Sequence, residues 1–217
     1  MVRQDRAIRT RKLILENMAS LFNEVGYDAA TIAALVERTG LTRGALYFHF
    51  ASKEDMARAV LDEAVTTEGL SPQSFKLQEW VDLGLLLAHR LPREPVLHAA
   101  IRLAVDPKAR RLFGTRWPDW VALGRELLTE AKESGELLAH ADPAAVSRVF
   151  VGAWTGVQLV TEVLEEKLSL AEEIAGLYQL LLPSIVTPAV LAKLDLSPYR
   201  AERLLRESDE QEAAGHG

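Results

Sequence analysis

The stretch Thr31–Lys53, TIAALVERTGLTRGALYFHFASK, contains two short helical patterns separated by Thr39-Gly40 and followed by the aromatic run Tyr47-Phe48-His49-Phe50. Two short helices joined by a glycine turn form the motif with which small domains place one helix end in a DNA groove. Thr31 and Thr42 stand where a side-chain cap begins each helix. The stretch therefore predicts a helix-turn-helix unit.

Helical periodicity continues on both sides of this stretch, and strand alternation is not apparent. One apolar face precedes Gly26, which ends the first helix: Ile14, Met18, Leu21, Phe22 and Val25. Further helices are predicted at about 52–67, 73–91, 94–105, 117–134, 143–165, 169–182 and 188–194. A capping residue followed by proline marks a helix start at four sites: Ser71-Pro72, Asp106-Pro107, Asp142-Pro143 and Ser197-Pro198. The chain is predicted to be all-α.

The predicted organisation has two domains. Residues 1–51 form a three-helix helix-turn-helix DNA-binding domain, and residues 52–207 form a larger helical ligand-binding and dimerisation domain, with 52–67 as a bridging helix. The tail 208–217 is polar and predicted to be disordered.

Charge is divided unevenly along the chain. The net charge is −6, but residues 1–60 hold nine Lys/Arg and seven Asp/Glu, and the remaining residues hold sixteen and twenty-four. The first twelve residues carry five basic groups and one acidic group. Taken alone, such an arm is more often a solvated charge run, but beside a helix-turn-helix it favours contact with phosphate.

Composition excludes several classes of function. The chain has no cysteine, no HExxH pair, no glycine-rich phosphate loop and no GxSxG elbow, and its five histidines lack metal-ligand spacing. We therefore expect no enzyme activity, catalytic residue, metal or cofactor. The absence of a long apolar run or a signal-peptide pattern favours a cytoplasmic protein without a membrane partner, associated with the nucleoid through DNA.

The start of the third helix carries the expected base contact. Arg43 has the fork shape that binds guanine O6 and N7, and Gly44 allows a close backbone approach. Tyr47, His49 and Lys53 are expected at the sugar-phosphate backbone, whereas Phe48 and Phe50 are expected to pack against the first helix. The complete predicted DNA-binding set is Arg6, Arg9, Thr31, Thr42, Arg43, Gly44, Tyr47, His49 and Lys53. From spacing alone, a surface helical hairpin with an aromatic plug stays open as the alternative.

The same residues resemble the N-terminal signature of the tetracycline-repressor (TetR) family of transcriptional regulators. The resemblance rests on Gly26-Tyr27, Thr31-Ile32, Val36, Gly40–Phe50 and Ser52-Lys53-Glu54, and it spans about 50 residues. It implies a homodimeric all-α repressor of double-stranded DNA operators with a ligand-binding C-terminal domain.

A narrower resemblance covers most of the chain. The segments RQDRAIRTRKLIL, GALYFHF, RLFGTRWPDW and VFVGAWTGVQLV are similar to the γ-butyrolactone autoregulator receptors of filamentous actinomycetes. Receptors of butyrolactone or butenolide signals tend to be acidic, as this chain is. The resemblance implies a small lactone-type effector, a Trp120 that lines it, and a pocket-facing helix that carries Thr155.

The side-chain chemistry also favours a ligand pocket around Trp120 and Thr155. Trp120 offers a flat apolar wall, the Thr155 hydroxyl interrupts an apolar helix, and Gln158 and Leu87 complete the predicted ligand-binding set. Each is also compatible with a place in the core. The helix over 143–165 carries apolar residues on two sides, which predicts one face packed in its own domain and one against a twofold partner. A fully intramolecular core is the alternative.

The sequence thus predicts a dimeric repressor released from a pseudo-palindromic operator by a γ-butyrolactone or butenolide signal. One alternative is a TetR-type repressor that senses a different hydrophobic metabolite or antibiotic. Another, from a different class, is a small-molecule binding protein that uses its N-terminal motif for protein contact.

Overall fold

The computed structural model describes residues 2–164 and 169–215, and it is built from helices. They are α1 (Val2–Ala29), α2 (Ile32–Thr39), α3 (Arg43–His49), α4 (Lys53–Asp62), α5 (Lys76–Arg90), α6 (Pro95–Val105), α7 (Pro107–Phe113), α8 (Trp117–Glu133), α9 (Pro143–Val163), α10 (Leu170–Leu181), α11 (Pro188–Leu191) and α12 (Arg200–Gly215). A 3-10 turn at Leu182–Ser184 follows α10. Over the described residues the extended pairing is limited to an isolated bridge between Leu137 and Val186, so the all-α prediction is confirmed.

Capping residues begin the helices of the helix-turn-helix as the sequence predicts. The Thr31 and Thr42 hydroxyls accept hydrogen bonds from the backbone N–H of Ala34 at 3.1 Å and of Ala45 at 3.2 Å. Each satisfies an amide that the first turn leaves without a partner. Gly40 has a φ of 67°, and this left-handed conformation lets the chain turn sharply into α3.

Two compact units make up the chain. The first contains residues 1–66 and 91–116, and the second contains residues 67–90 and 117–217. The predicted division at residue 51 therefore differs from the packing, because α4, α6 and α7 belong with the helix-turn-helix. Short helices cannot bury an apolar face alone, and one core includes Met18 of α1, Leu46 of α3, Met56 of α4 and Leu103 of α6.

The second unit is organised around α5, most of whose residues are buried. The rings of Trp80, Phe150 and Tyr178 lie with centroids 4.4 to 5.2 Å apart, and the Tyr178 hydroxyl donates to the Trp80 carbonyl at 3.0 Å. A Cβ at Gly84 would overlap the Tyr178 hydroxyl oxygen. Glycine is therefore needed at this position for the helices to approach.

Two helices, α7 and α12, lie outside the predicted ranges, although Asp106-Pro107 and Ser197-Pro198 mark a helix start at or near each of them. The Asp106 carboxylate caps α7 by accepting from the backbone N–H of Lys108 and Ala109 at 2.9 and 2.6 Å. Helix α12 continues to Gly215, so the predicted disorder from residue 208 differs from the structure up to 215; residues 216–217 lie outside the described part. The Glu-, Arg- and Ala-rich sequence of α12 has high helix propensity. Over the described residues, helices that combine the length and apolarity needed to cross a membrane are absent.

A buried ion pair fastens the start of α12 to α5. Arg200 donates to both carboxylate oxygens of Asp82, at 2.5 Å from Nε and 2.8 Å from Nη2, and Asp82 is completely buried. Gln78 also donates to Asp82 at 2.7 Å and accepts from the backbone N–H of Asp195 at 2.8 Å. The sequence pattern gave no sign of this network, because its members are 117 and 118 residues apart.

We expect Arg200→Gln to lower the free energy of unfolding of the second unit by about 3 kcal/mol, because the Asp82 carboxylate then loses its cation while it stays buried. All four tryptophans lie in this unit, so urea denaturation followed by tryptophan fluorescence measures the effect. The control is Arg206→Gln, which removes an exposed pair with Glu202 at 3.9 Å and should change stability by less than about 0.5 kcal/mol. Equal midpoints for the two variants would contradict the expectation.

Candidate functional site

Helix α3 presents its first turn to solvent and anchors its opposite side in the core. Arg43 and Gly44 are exposed, whereas Leu46 is fully buried and Phe50 nearly so. Among the described residues, none forms an ion pair with Arg43. Its guanidinium is therefore available for a base edge, in the geometry of a recognition helix whose N-terminus enters the major groove.

The expected burial of Phe48 is wrong. Its side chain is 81% exposed and touches the neighbouring His49 ring edge-on, with centroids 5.2 Å apart. Leu46 and Phe50, one turn apart, face the core, and Phe48 lies about 200° around the helix from Leu46. Phe50 alone of the two phenylalanines packs inward, as expected.

Phe48 is consequently a candidate contact that the sequence reasoning missed. It lies on the same short helix as Arg43 and half-exposed Tyr47, and an exposed phenyl ring suits the methyl group of thymine. The spacing along the helix could have shown that Phe48 is exposed, because a buried Leu46 leaves position 48 on the outer face of α3.

Lys53 does not have the environment expected of a phosphate contact. Its ammonium group donates to the backbone carbonyls of Tyr27 at 2.8 Å, Asp28 at 3.5 Å and Ala30 at 2.9 Å. It also lies 4.3 Å from the centroid of the Tyr27 ring. An ammonium has three donors, and all three are engaged here. Lys53 therefore ties the start of α4 to the end of α1.

Tyr27 contributes to the same corner, which consists of the end of α1 and the starts of α2 and α4. Its hydroxyl donates to Glu54 at 3.1 Å, and burial, together with that hydrogen bond, raises the pKa of Tyr27 to about 12. Its ring packs against Phe22 and Phe113, with centroids 5.7 and 5.0 Å away. The phenol therefore stays neutral over the physiological range and serves as a fixed support for the beginning of α2.

The basic N-terminal residues have different surroundings. The predicted contacts Arg6 and Arg9 are exposed on α1. Arg11 lies 4.8 Å from the centroid of the Phe50 ring and pairs with Glu63 at 3.4 Å, so its guanidinium is held by intramolecular contacts. The Arg3 side chain lies outside the described residues. Arg6 and Arg9 are thus exposed, as contact with phosphate requires.

Two of the remaining predicted DNA contacts, Thr31 and Thr42, are the capping residues of α2 and α3. Thr31 and Thr42 are exposed, and since each hydroxyl oxygen accepts a backbone N–H, its own O–H is still able to donate to phosphate. His49 is half-buried at the end of α3. Together with Arg43, Gly44 and Tyr47 these residues lie within the first unit, on or beside α2 and α3.

The four predicted ligand-binding residues lie on three helices of the second unit. Trp120 on α8, Thr155 on α9 and Leu87 on α5 are half-buried, and α8 packs against both α5 and α9. The Thr155 hydroxyl donates to the Val151 carbonyl of its own helix at 2.8 Å. Its oxygen can then act toward a ligand only as an acceptor.

Gln158 is a buried polar group of unusual environment. Its side chain is 1% exposed, and its amide nitrogen donates to Glu162. Within the described part of the chain, the side-chain oxygen of Gln158 has no hydrogen-bond donor. A buried acceptor of this kind costs stability unless a donor reaches it, and a ligand that carries a hydroxyl group would supply one.

Helix α9 has two distinct faces. Ser147, Phe150, Trp154 and Gln158 are buried at helical spacing, and the Trp154 ring N–H donates to the Gly84 carbonyl at 3.3 Å. A second face exposes Val149, Val160 and Val163, and on α10 the Leu180 side chain is 84% exposed. Phe150 thus faces inward while Val149 and Val160 face outward, in agreement with the two apolar sides predicted for this helix.

We expect Lys53→Met to loosen the first unit, because three carbonyl oxygens at the end of α1 lose their donor at a cost of about 1–3 kcal/mol. Hydrogen exchange followed by mass spectrometry should show faster exchange in peptides that span residues 26–40. Lys12→Met, which removes an exposed lysine 3.8 Å from Glu16, is the control and should exchange there like the wild type. Wild-type exchange in the Lys53 variant, combined with weaker DNA binding, would restore the phosphate-contact interpretation.

Comparison with known proteins agrees with the geometry. The sequence model of the family described as bacterial regulatory proteins, tetR family, matches residues 14–60. The chain is also 34% identical to the A-factor receptor protein of Streptomyces griseus over 221 residues, covering 99% of this chain and 79% of that protein.

Two solved structures are similar over nearly the whole length. TylP, a TetR regulator from Streptomyces fradiae, gives a TM-score of 0.83 at 37% identity, covering 93% of this chain and 98% of its own. A γ-butyrolactone receptor described as ArpA-like gives a TM-score of 0.70 at 26% identity, with coverage of 93% and 98%.

Proposed function

The chain belongs to the tetR family of bacterial regulatory proteins, and we propose that it is a repressor that binds a pseudo-palindromic operator as a homodimer and is released by a γ-butyrolactone or butenolide-type signal. Its relatives include transcriptional regulators, among them the A-factor receptor protein and solved γ-butyrolactone receptors. The observation that carries the proposal is the exposed Arg43-Gly44 turn, held outward by buried Leu46 and Phe50.

Operator binding divides into base contacts and backbone contacts. Arg43 binds a guanine through O6 and N7, and Phe48 contacts a thymine methyl group beside it. Thr31, Thr42, Tyr47, Arg6 and Arg9 contact sugar and phosphate, which fixes the position of α3 without selecting sequence. Lys53 acts through the corner it holds together rather than through phosphate.

A twofold dimer is supported by the outer face of α9 and α10. Val149, Val160, Val163 and Leu180 are large apolar side chains with more than half of their surface exposed. The cost of leaving them in water is removed when the same face of a second copy covers them in an isologous contact. Gly152 and Gly156 of α9 leave room there, since a Cβ at either would have no heavy atom within 4 Å. For such a dimer to bind two successive major grooves, its two α3 helices must lie about 34 Å apart.

The effector lies among α5, α8 and α9 in this proposal. Trp120 and Leu87 supply apolar walls, and the Thr155 and Gln158 oxygens both offer acceptors. This arrangement suits a small apolar lactone that carries a hydroxyl group. The chain passes between the two units after Thr66, Arg90 and Arg116, and effector binding favours an arrangement in which the two α3 helices no longer match the operator. Coupling of about 1–3 kcal/mol is sufficient for such a response.

We expect Arg43→Ala to weaken binding to the DNA upstream of the protein's own gene by about 1–3 kcal/mol and to relax the preference at one base pair. A gel shift with a set of single-base operator variants measures this. Arg9→Ala is the comparison, because removal of a phosphate-binding side chain should weaken all variants equally.

Unchanged discrimination by the Arg43 variant would exclude Arg43 as a base contact. Light scattering of the free wild-type protein should give the mass of two chains, and the mass of one chain would contradict the twofold arrangement. Absence of a salt-dependent shift with any upstream DNA would favour a binding protein whose N-terminal motif contacts protein instead.

We expect Trp120→Ala to keep operator binding but to lose release by γ-butyrolactone or butenolide compounds, because the apolar wall of the pocket is removed. The release is measured by adding each compound to the preformed complex in a gel shift. Tyr199→Ala, which removes an exposed aromatic residue of the same unit, should respond like the wild type.

Release of the Trp120 variant at wild-type concentrations would assign this tryptophan to the core. In the same assay Gln158→Leu should weaken the response to hydroxylated compounds more than to their keto analogues, since only the former donate to the missing oxygen. Wild-type protein that responds to other hydrophobic metabolites and not to lactones would favour the alternative effector class.

A further inference from the structure

The positive charge of the first unit comes from its second segment. Residues 1–66 contain nine Lys/Arg and nine Asp/Glu, so they are neutral overall. Residues 91–116 contain six basic and two acidic residues, a net charge of +4. The second unit, with ten basic and twenty acidic residues, has a net charge of −10. Much of the electrostatic attraction of the first unit for DNA therefore originates outside the helix-turn-helix sequence.

Helix α7 is fixed against the corner at which α2 begins. The Lys108 ammonium pairs with both carboxylate oxygens of Asp28, at 2.7 and 2.8 Å. Phe113 packs against the Tyr27 ring, and the Arg58 guanidinium lies 5.4 Å from its centroid. Ala109 is fully buried. Asp28 is three residues before Thr31, so Lys108 connects α7 to the segment that leads into one of the expected phosphate contacts.

The outer side of α7 carries two exposed arginines. Ala109 and Phe113, one turn apart, face inward, which directs Arg110 and Arg111 away from the core. Arg111 follows Lys108 at i, i+3, so the two residues are neighbours on the surface of α7, and Lys108 reaches Asp28. Neither arginine forms a salt bridge with a residue in the described ranges, in contrast to Lys108.

We propose that Arg110 and Arg111 form a second phosphate-binding surface, which contacts the DNA backbone beside the backbone contacts of α2. Guanidinium groups bind phosphate through two parallel N–H donors, and α7, which carries these two, is already held in place by Lys108 and Phe113. The contacts are independent of sequence, so they add affinity without changing base preference. The inference rests on the proposed function, because it takes operator DNA as the ligand.

The test compares Arg110→Gln/Arg111→Gln with Arg125→Gln/Arg206→Gln, which removes the same charge from exposed positions of the second unit. Affinity is measured by gel shift over a series of KCl concentrations, with upstream DNA and with an equally long duplex from within a coding sequence. The α7 variant should bind both duplexes on the order of tenfold more weakly. Its slope of log K against log salt should be shallower by about 0.9 for each phosphate that the protein no longer neutralises.

The ratio of the two affinities should stay at the wild-type value, and Arg110→Lys/Arg111→Lys should restore the slope, since charge is retained. The second-unit variant should bind like the wild type. Circular dichroism melting should be unchanged in all variants, because the replaced side chains are exposed. A wild-type slope and affinity in the α7 glutamine variant would overturn this inference alone. Absence of DNA binding by the wild type at the lowest salt concentration would overturn it together with the proposed function.

Discussion

Burial of Leu46 and Phe50 is the constraint on which the candidate DNA interface depends. Both side chains belong to the core that also contains Met18 of α1 and Met56 of α4. Because they are one turn apart, they fix the rotation of α3 about its axis and thereby direct Arg43, Tyr47 and Phe48 toward solvent. A helix of seven residues has too few internal hydrogen bonds to be stable alone, so its orientation comes from this packing.

The corner between α1, α2 and α4 transmits that packing to the rest of the first unit. Lys53 donates to three carbonyl oxygens at the end of α1, Tyr27 bonds to Glu54, and α7 covers the same corner through Phe113 and Lys108. These charged and aromatic side chains are of types that could contact DNA, but here they bond to and pack against other residues of the protein. Exposed arginines that form no salt bridge with a described residue lie elsewhere in the first unit: Arg6 and Arg9 on α1, Arg43 on α3, and Arg110 and Arg111 on α7.

The second unit differs from the first in that polar side chains are buried on and around α5. Asp82 is neutralised by Arg200, and Gln78 is satisfied by Asp195, so the last helix is fastened to the centre of the unit. Gln158 is buried on α9 with an acceptor oxygen to which no described residue donates. That contrast distinguishes a polar group used for folding from one suited to a ligand. The second unit is acidic and the first is basic, so attraction for phosphate is confined to the first unit.

The sequence by itself determined the all-α class, most helix boundaries and the helix-turn-helix, because these depend on local capping and periodicity at Thr31, Gly40 and Thr42. It also predicted that Arg43 stands at the exposed start of α3, which the structure confirms, and that it contacts a base, which stays a prediction. Only the tertiary structure decided that Phe48 is exposed and that Lys53 bonds to backbone carbonyls, since the same residue types suit a core, a cap or a DNA contact. It likewise decided that residues 91–116 join the first unit and that Asp82 meets Arg200. Such contacts join positions far apart in the chain, and neither propensity nor spacing contains that information.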